Sequence, residues 1–279
     1  MYTIRCLVND ESLDQTIFRA EHGLSLSIES PSGQILFDTG QSGDALVNNA
    51  VQLGIDLYQT DALVLSHAHY DHTGGLGAFL QYCRPGLPLY AHSDLFRRRY
   101  SIKGDQMSSI GMRLTEKDLA KYMIMNLSEK PLQISPGIWT TGEITERAEF
   151  EGRSVHHYIQ TDQGMQSDPY RDDLSLILEA ASGLIVICGC CHAGILNTLK
   201  HVRGMIDKDI TAILGGIHLA NVNGEILEYT ITKICNINKQ EIPYLYLNHC
   251  SGENALVAFR QAFDEKIRSF PAGSVLLFT

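Results

Sequence analysis

The chain has 279 residues, 44% of them hydrophobic, and a formal net charge of −10. That length and composition support a large buried core in one α/β unit. The acidic balance excludes a broad nucleic-acid surface, which needs a basic face, and no apolar run reaches the about 18 residues of a membrane-spanning helix.

The N-terminal Met1-Tyr2-Thr3-Ile4-Arg5 lacks the basic-then-apolar layout of a secretory leader, so a cytoplasmic protein is expected. Cys6, Cys83, Cys188, Cys190, Cys191, Cys235 and Cys250 make an odd set that does not suggest a disulfide framework.

In chain order the pattern predicts strands at 3–8, 24–29 and 34–37, with a hairpin turn at Ser30-Pro31-Ser32-Gly33, and then Asp38-Thr39-Gly40 at a strand end. Apolar spacing through Leu46, Val47, Ala50 and Leu53 predicts a helix over 44–53. A buried strand at 62–65 runs directly into His67-Ala68-His69-Tyr70-Asp71-His72, a loop followed by Gly74-Gly75 that leaves the backbone free to pass close to bound ions. A helix at 77–82 and a strand at 87–91 follow. Residues 97–130 are Met-rich and charged, with helical spacing over 116–123, and read as an insertion or lid.

The second half repeats the alternation. Strands are expected at 174–179, 184–188, 211–214, 244–247 and 275–278, and helices at 194–202, 225–235 and 254–263. Three histidines sit at strand ends beside glycine: His192 in Gly189-Cys190-Cys191-His192-Ala193-Gly194, His218 in Gly215-Gly216-Ile217-His218, and His249 in Asn248-His249-Cys250-Ser251-Gly252.

Four imidazole and carboxylate side chains within six residues suit Zn²⁺ and similar first-row ions. His67 and His69 can converge on one ion, and the adjacent Asp71 and His72 can turn toward a second. Asp38 is a candidate partner for a ligating imidazole, because such rings usually donate their other N–H to a carboxylate or carbonyl. His92 faces either the pocket or solvent; His22, His156, His157 and His201 read as surface residues.

The H-x-H-x-D-H block resembles the signature of the metallo-β-lactamase-fold superfamily. The ordered segments around Glu21-His22-Gly23, Asp71-His72-Thr73-Gly74-Gly75, Gly189 to Gly194, Gly215 to Leu219 and His249 to Gly252 resemble its branch of uncharacterised metal-dependent hydrolases. That branch is related to the archaeal dihydropterin/ribofuranosyl-aminobenzene phosphate synthase.

The resemblance implies a four-layer αββα sandwich spanning 1–279 and two divalent ions, Zn²⁺ first with Mn²⁺ or Fe²⁺ as alternatives. It implies His67, His69 and His192 around one ion, and Asp71, His72 and His249 around the other. Many relatives carry a bridging aspartate where this chain has Gly189-Cys190-Cys191, so Cys190 is a candidate bridging thiolate and Asp173 a fallback carboxylate.

The expected function is hydrolysis of a small phosphorylated or ester-type metabolite by a metal-bound hydroxide, with Asp71 orienting it and His218 binding substrate or donating a proton. The alternative is pterin transfer with loss of diphosphate. A redox role is disfavoured because diiron relatives have glutamate where His69 stands, and a non-catalytic metal module because the ligand set is intact. Expected partners are a small-molecule substrate and, in a homodimer, a second copy of the chain; no nucleic acid or membrane is expected.

Overall fold

The computed structural model describes all residues of 1–279 except 150, 151, 221 and 240. Its architecture follows from strands that are apolar on both sides. Ile35 and Phe37 point one way along Gly33–Phe37 while Leu36 points the other, and Ile185 and Ile187 alternate with Leu184 and Val186 along Gly183–Cys188. Strands buried on both faces need cover on both.

The first sheet has seven strands, ordered Val275–Phe278, Tyr2–Val8, Ser25–Ser30, Gly33–Phe37, Thr60–Val64, Leu87–Ala91 and Met123–Leu127. The second has six, ordered Tyr244–Leu247, Ile210–Gly215, Gly183–Cys188, Ser175–Ala180, Ile138–Thr140 and Gln133–Ser135. The two sheets meet through Ile4, Leu26, Phe37 and Val64 on one side and Leu176, Ile185, Ile187 and Leu214 on the other. Helix Asp44–Gln52 covers the outer face of the first sheet through Leu46 and Ala50. Ile195–Met205, Gly224–Cys235 and Glu253–Phe263 cover the second through Leu199, Val202, Ile234 and Phe259. These are the four αββα layers that the resemblance implied. No helix among the described residues is long and apolar enough to cross a membrane.

The parallel strands decide where side chains can gather. Gly33–Phe37, Thr60–Val64 and Leu87–Ala91 run parallel in the first sheet, as do Gly183–Cys188, Ile210–Gly215 and Tyr244–Leu247 in the second. In such sheets ligands bind outside the carboxyl ends of the strands, and every histidine loop singled out above leaves one of those ends.

The stretch 97–130 divides. Arg99–Lys103 and Gln106–Ser109 form a hairpin that pairs with His157–Thr161 and Gly164–Ser167 in a separate four-stranded sheet. Met123–Leu127 is instead the edge strand of the seven-stranded sheet, in parallel register with Leu87–Ala91. The helix expected over 116–123 is a single turn, Glu116–Leu119, closed by a capping box between Thr115 and Asp118. Strand pairing takes over beyond it, because Met123 is buried in the core and the backbone bonds to a neighbouring strand.

Candidate metal centre

The loop after Thr60–Val64 is held from outside. Thr39 receives the carbonyl of His72 through both its N–H (2.8 Å) and its hydroxyl (3.0 Å). The Gly74-Gly75 pair packs against backbone rather than against the ligand groups, correcting the expectation: a Cβ at Gly74 would lie 2.0 Å from the Gln41 carbonyl oxygen, and one at Gly75 2.1 Å from that of Thr39.

Two donor sets form. In the first, His69 Nδ1 lies 3.0 Å from His67 Nε2 and 3.3 Å from His192 Nε2. The tautomers are set by the outer partners. Ser66 Oγ donates to Asp38 at 2.7 Å, so it accepts from His67 Nδ1 at 2.9 Å, and His192 Nδ1 donates to the Gly152 carbonyl at 2.8 Å. Both Nε2 atoms therefore present lone pairs.

With His69 Nδ1 also unprotonated the three nitrogens would not hydrogen-bond one another, whereas a tetrahedral ion with N bonds of about 2.0–2.1 Å separates its ligands by about 3.3 Å. His69 Nε2 is buried without a partner. Burial, together with the neighbouring imidazoles, holds His67 and His192 well below the ordinary histidine range, and burial does the same at His69, leaving all three neutral.

The second set joins Asp71, His72, His249 and Cys190. Asp71 Oδ2 lies 3.3 Å from His249 Nε2 and 3.7 Å from His72 Nε2; the two imidazole nitrogens are 3.3 Å apart, and Cys190 Sγ is 3.2 Å from His72 Nε2. His72 Nδ1 donates to Asp38 at 2.7 Å and His249 Nδ1 to Asp10 at 3.2 Å, so both again turn Nε2 inward. Burial pushes the Cys190 thiol well up, so this thiol needs a cation to become a thiolate ligand. Burial works upward at Asp71 too, but His72 and His249 outweigh it and hold the carboxyl well below its usual range. Both sets fit divalent ions of the zinc type in donor chemistry and spacing.

Asp38 serves both sets, accepting from Ser66 N–H, Ser66 Oγ and His72 Nδ1, each at 2.7 Å. His218 falls outside both, grouped with Cys190 and Cys250, its Nδ1 buried without a partner and its ring 4.4 Å from that of His192. Asp173 belongs to neither set: it is fully buried and accepts from Ala193 N–H at 2.9 Å. His92 faces neither pocket nor solvent, but is buried 3.5 Å from Glu143. Asp38, Tyr170, Cys191, His218 and His249 all have left-handed φ, between 47° and 60°. Backbone strain of this kind clusters at functional sites.

The sets open into a cavity of about 710 Å³, lined also by Tyr70, Ser101, Lys103, Ser108, Arg113 and Cys250. Two histidines read as surface residues line it as well. His22 sits 3.1 Å from Asp10 and 3.4 Å from Asp71, and His157 bonds Tyr170 at 2.9 Å. Burial pushes His157 down to about 4. His156 is exposed, and His201 bonds the Thr141 carbonyl away from the cavity. Asp10, Lys103 and Arg113 had no motif to announce them.

The sequence profile of the metallo-beta-lactamase superfamily matches residues 19–160. The chain is 29% identical to 7,8-dihydropterin-6-methyl-4-(beta-D-ribofuranosyl)-aminobenzene-5'-phosphate synthase of Methanocaldococcus jannaschii, covering 99% of this chain and 96% of that protein. It is 30% identical to the uncharacterised protein MJ0448 of the same organism, over 92% of this chain and 94% of that one. Among solved structures, Tm1679, a metal-dependent hydrolase of the beta-lactamase superfamily, superposes with a TM-score of 0.84 at 26% identity over 99% of both chains. With profile, full-length relatives and fold in agreement, the chain belongs to the metallo-beta-lactamase superfamily.

Proposed function

We propose that this protein is a metal-dependent hydrolase of a small anionic metabolite, attacked at a phosphate- or ester-type centre. The observation that carries the reading is the cavity's charge. Lys103 and Arg113 reach it from the hairpin side, both exposed, and among the described residues neither is in an ion pair and Asp71 is the sole carboxylate lining the cavity. A negatively charged substrate complements that lining and brings its electrophile to the floor where the donor sets lie.

Divalent ions held by those sets would supply Lewis acidity and lower the pKa of a nearby water. Asp71 orients the attacking oxygen, and its carboxyl stays ionised to do so. His218 stands on the cavity wall as a substrate contact or proton donor.

A second reading is condensation with loss of diphosphate. It is supported by the full-length similarity to the Methanocaldococcus synthase and by a cavity roomier than a water nucleophile requires. The test is to incubate zinc-loaded protein with a dihydropterin diphosphate, with and without an aminobenzene ribofuranosyl phosphate, and follow products by mass. Turnover of simple esters or phosphodiesters without condensation supports hydrolysis; a condensed product that needs the acceptor overturns it.

A further inference from the structure

Tyr170 fixes the proton of a histidine that neither donor set uses. Its ring is 1% exposed and stacks on His192, with centroids 4.3 Å apart and planes 11° from parallel. Its hydroxyl accepts the backbone N–H of Ser154 at 3.1 Å and lies 2.9 Å from His157 Nδ1. Among the described residues that hydroxyl has no other acceptor, and a buried O–H left without one costs about 1–3 kcal/mol. Tyr170 therefore donates to His157 Nδ1. A neutral imidazole carries one proton, so it resides on His157 Nε2, which has no partner among the described residues.

His157 does not stand alone. It is cross-strand partner to Ser101, and Ser101 to Ser108. All three line the cavity, and Lys103 lies one pleat along on the same face as Ser101. One face of the four-stranded sheet thus presents an imidazole N–H, two hydroxyls and an ammonium opposite the donor sets.

We infer that this face is the oxyanion subsite of the cavity, with His157 Nε2–H, held in that tautomer by Tyr170, donating to a phosphoryl or carboxylate oxygen of the substrate. The inference rests on the anionic-substrate reading and adds the group that meets the anion. His157 then acts as a neutral donor and substrate ligand, and Tyr170 as its positioning residue.

The test uses zinc-loaded protein and inorganic phosphate. Long-range ¹H–¹⁵N correlation spectra of the histidine rings should show His157 as the Nε2–H tautomer at rest, and its ring signals should shift as phosphate is added. His157→Ala should weaken phosphate binding about tenfold with zinc content unchanged. His157→Gln, which keeps a side-chain N–H, should recover part of the loss. Tyr170→Phe keeps the stack on His192 but should lose the tautomer preference.

An Nδ1–H resting tautomer overturns the inference while leaving the anionic reading in place. So does phosphate affinity unchanged in His157→Ala. A wild-type protein that shows the Nε2–H tautomer yet binds no phosphate overturns the anionic reading itself, and the donor role with it.

Discussion

Asp172 Oδ2 accepts the backbone N–H of Ala68, the residue between His67 and His69, at 2.8 Å, while its Oδ1 lies 2.6 Å from Arg99 of the cavity-lining hairpin. One fully buried carboxylate thus ties the first donor loop to the sheet that covers it. Its neighbour Asp173 ties down the loop of His192 in the same way, through Ala193. Asp172→Ala removes a charge partner from Arg99, which is 1% exposed, and leaves the Ala68 N–H unpaired. Removing one partner of a buried ion pair costs about 3–5 kcal/mol. The lower end is expected, because Asp168 and Asp94 remain beside Arg99. Urea unfolding measures it.

The same carboxyl gives a pH signature. Burial raises Asp172 to about 7, with Arg99 only partly offsetting it, against an unfolded value of about 3.9. A raised folded pKa means the folded state holds the proton more tightly. The associated stability is fully present below about pH 4 and is lost as pH rises through about 7. Wild type should therefore lose ground to Asp172→Asn between pH 5 and pH 8. Unfolding free energies of both proteins at the two pH values decide it; a difference that stays constant between them would mean the carboxyl is ionised throughout.

Asp38→Ala should damage both donor sets at once. It strips the acceptor from three hydrogen bonds of 2.7 Å and frees the rings of His67 and His72. Loss of such outer partners typically lowers metal affinity 10–100-fold, expected here to be about that for zinc. Competition against a chromophoric chelator reads the change.

His67→Ala and His69→Ala should lose metal, measured by elemental analysis, and full occupancy in both would sink the first set. His218→Ala should retain metal and lose activity, since His218 belongs to neither set. Metal loss there would exchange its role with that of His192 or His249.

Lys103→Ala and Arg113→Ala should raise KM with little change in kcat, the signature of binding shared by ground and transition states. Exposed charges of this kind contribute on the order of 1 kcal/mol, about fivefold. The effect should shrink at high salt, where such charges are screened.

The core strands, and the gathering of the six expected ligands at their ends, were legible because parallel buried strands are continuous apolar runs and their ends carry glycine beside histidine. The sheet holding His157 was not. Gln106–Ser109 and Gly164–Ser167 are exposed along their whole length and carry no apolar alternation to betray a strand. His157 and His22 therefore read as surface residues, since nothing local told that distant segments would carry them to the cavity. Asp10 was invisible for a related reason: its contact with His249 spans 239 positions. The Gly74-Gly75 pair shows in the sequence that a backbone needs room but not which neighbour takes it, here the backbone of Gln41 and Thr39.

Each donor set draws on both halves of the sandwich: His67, His69, Asp71 and His72 follow a strand of the first sheet, and His192, Cys190 and His249 follow strands of the second. A cation seated in either set is a rivet between the two layers, so occupancy and cohesion become one equilibrium. Metal at a thousandfold excess over its dissociation constant adds about 4 kcal/mol to the folded state. The melting temperature would then track free metal, and chelation would loosen the edge of the sandwich where the substrate must enter.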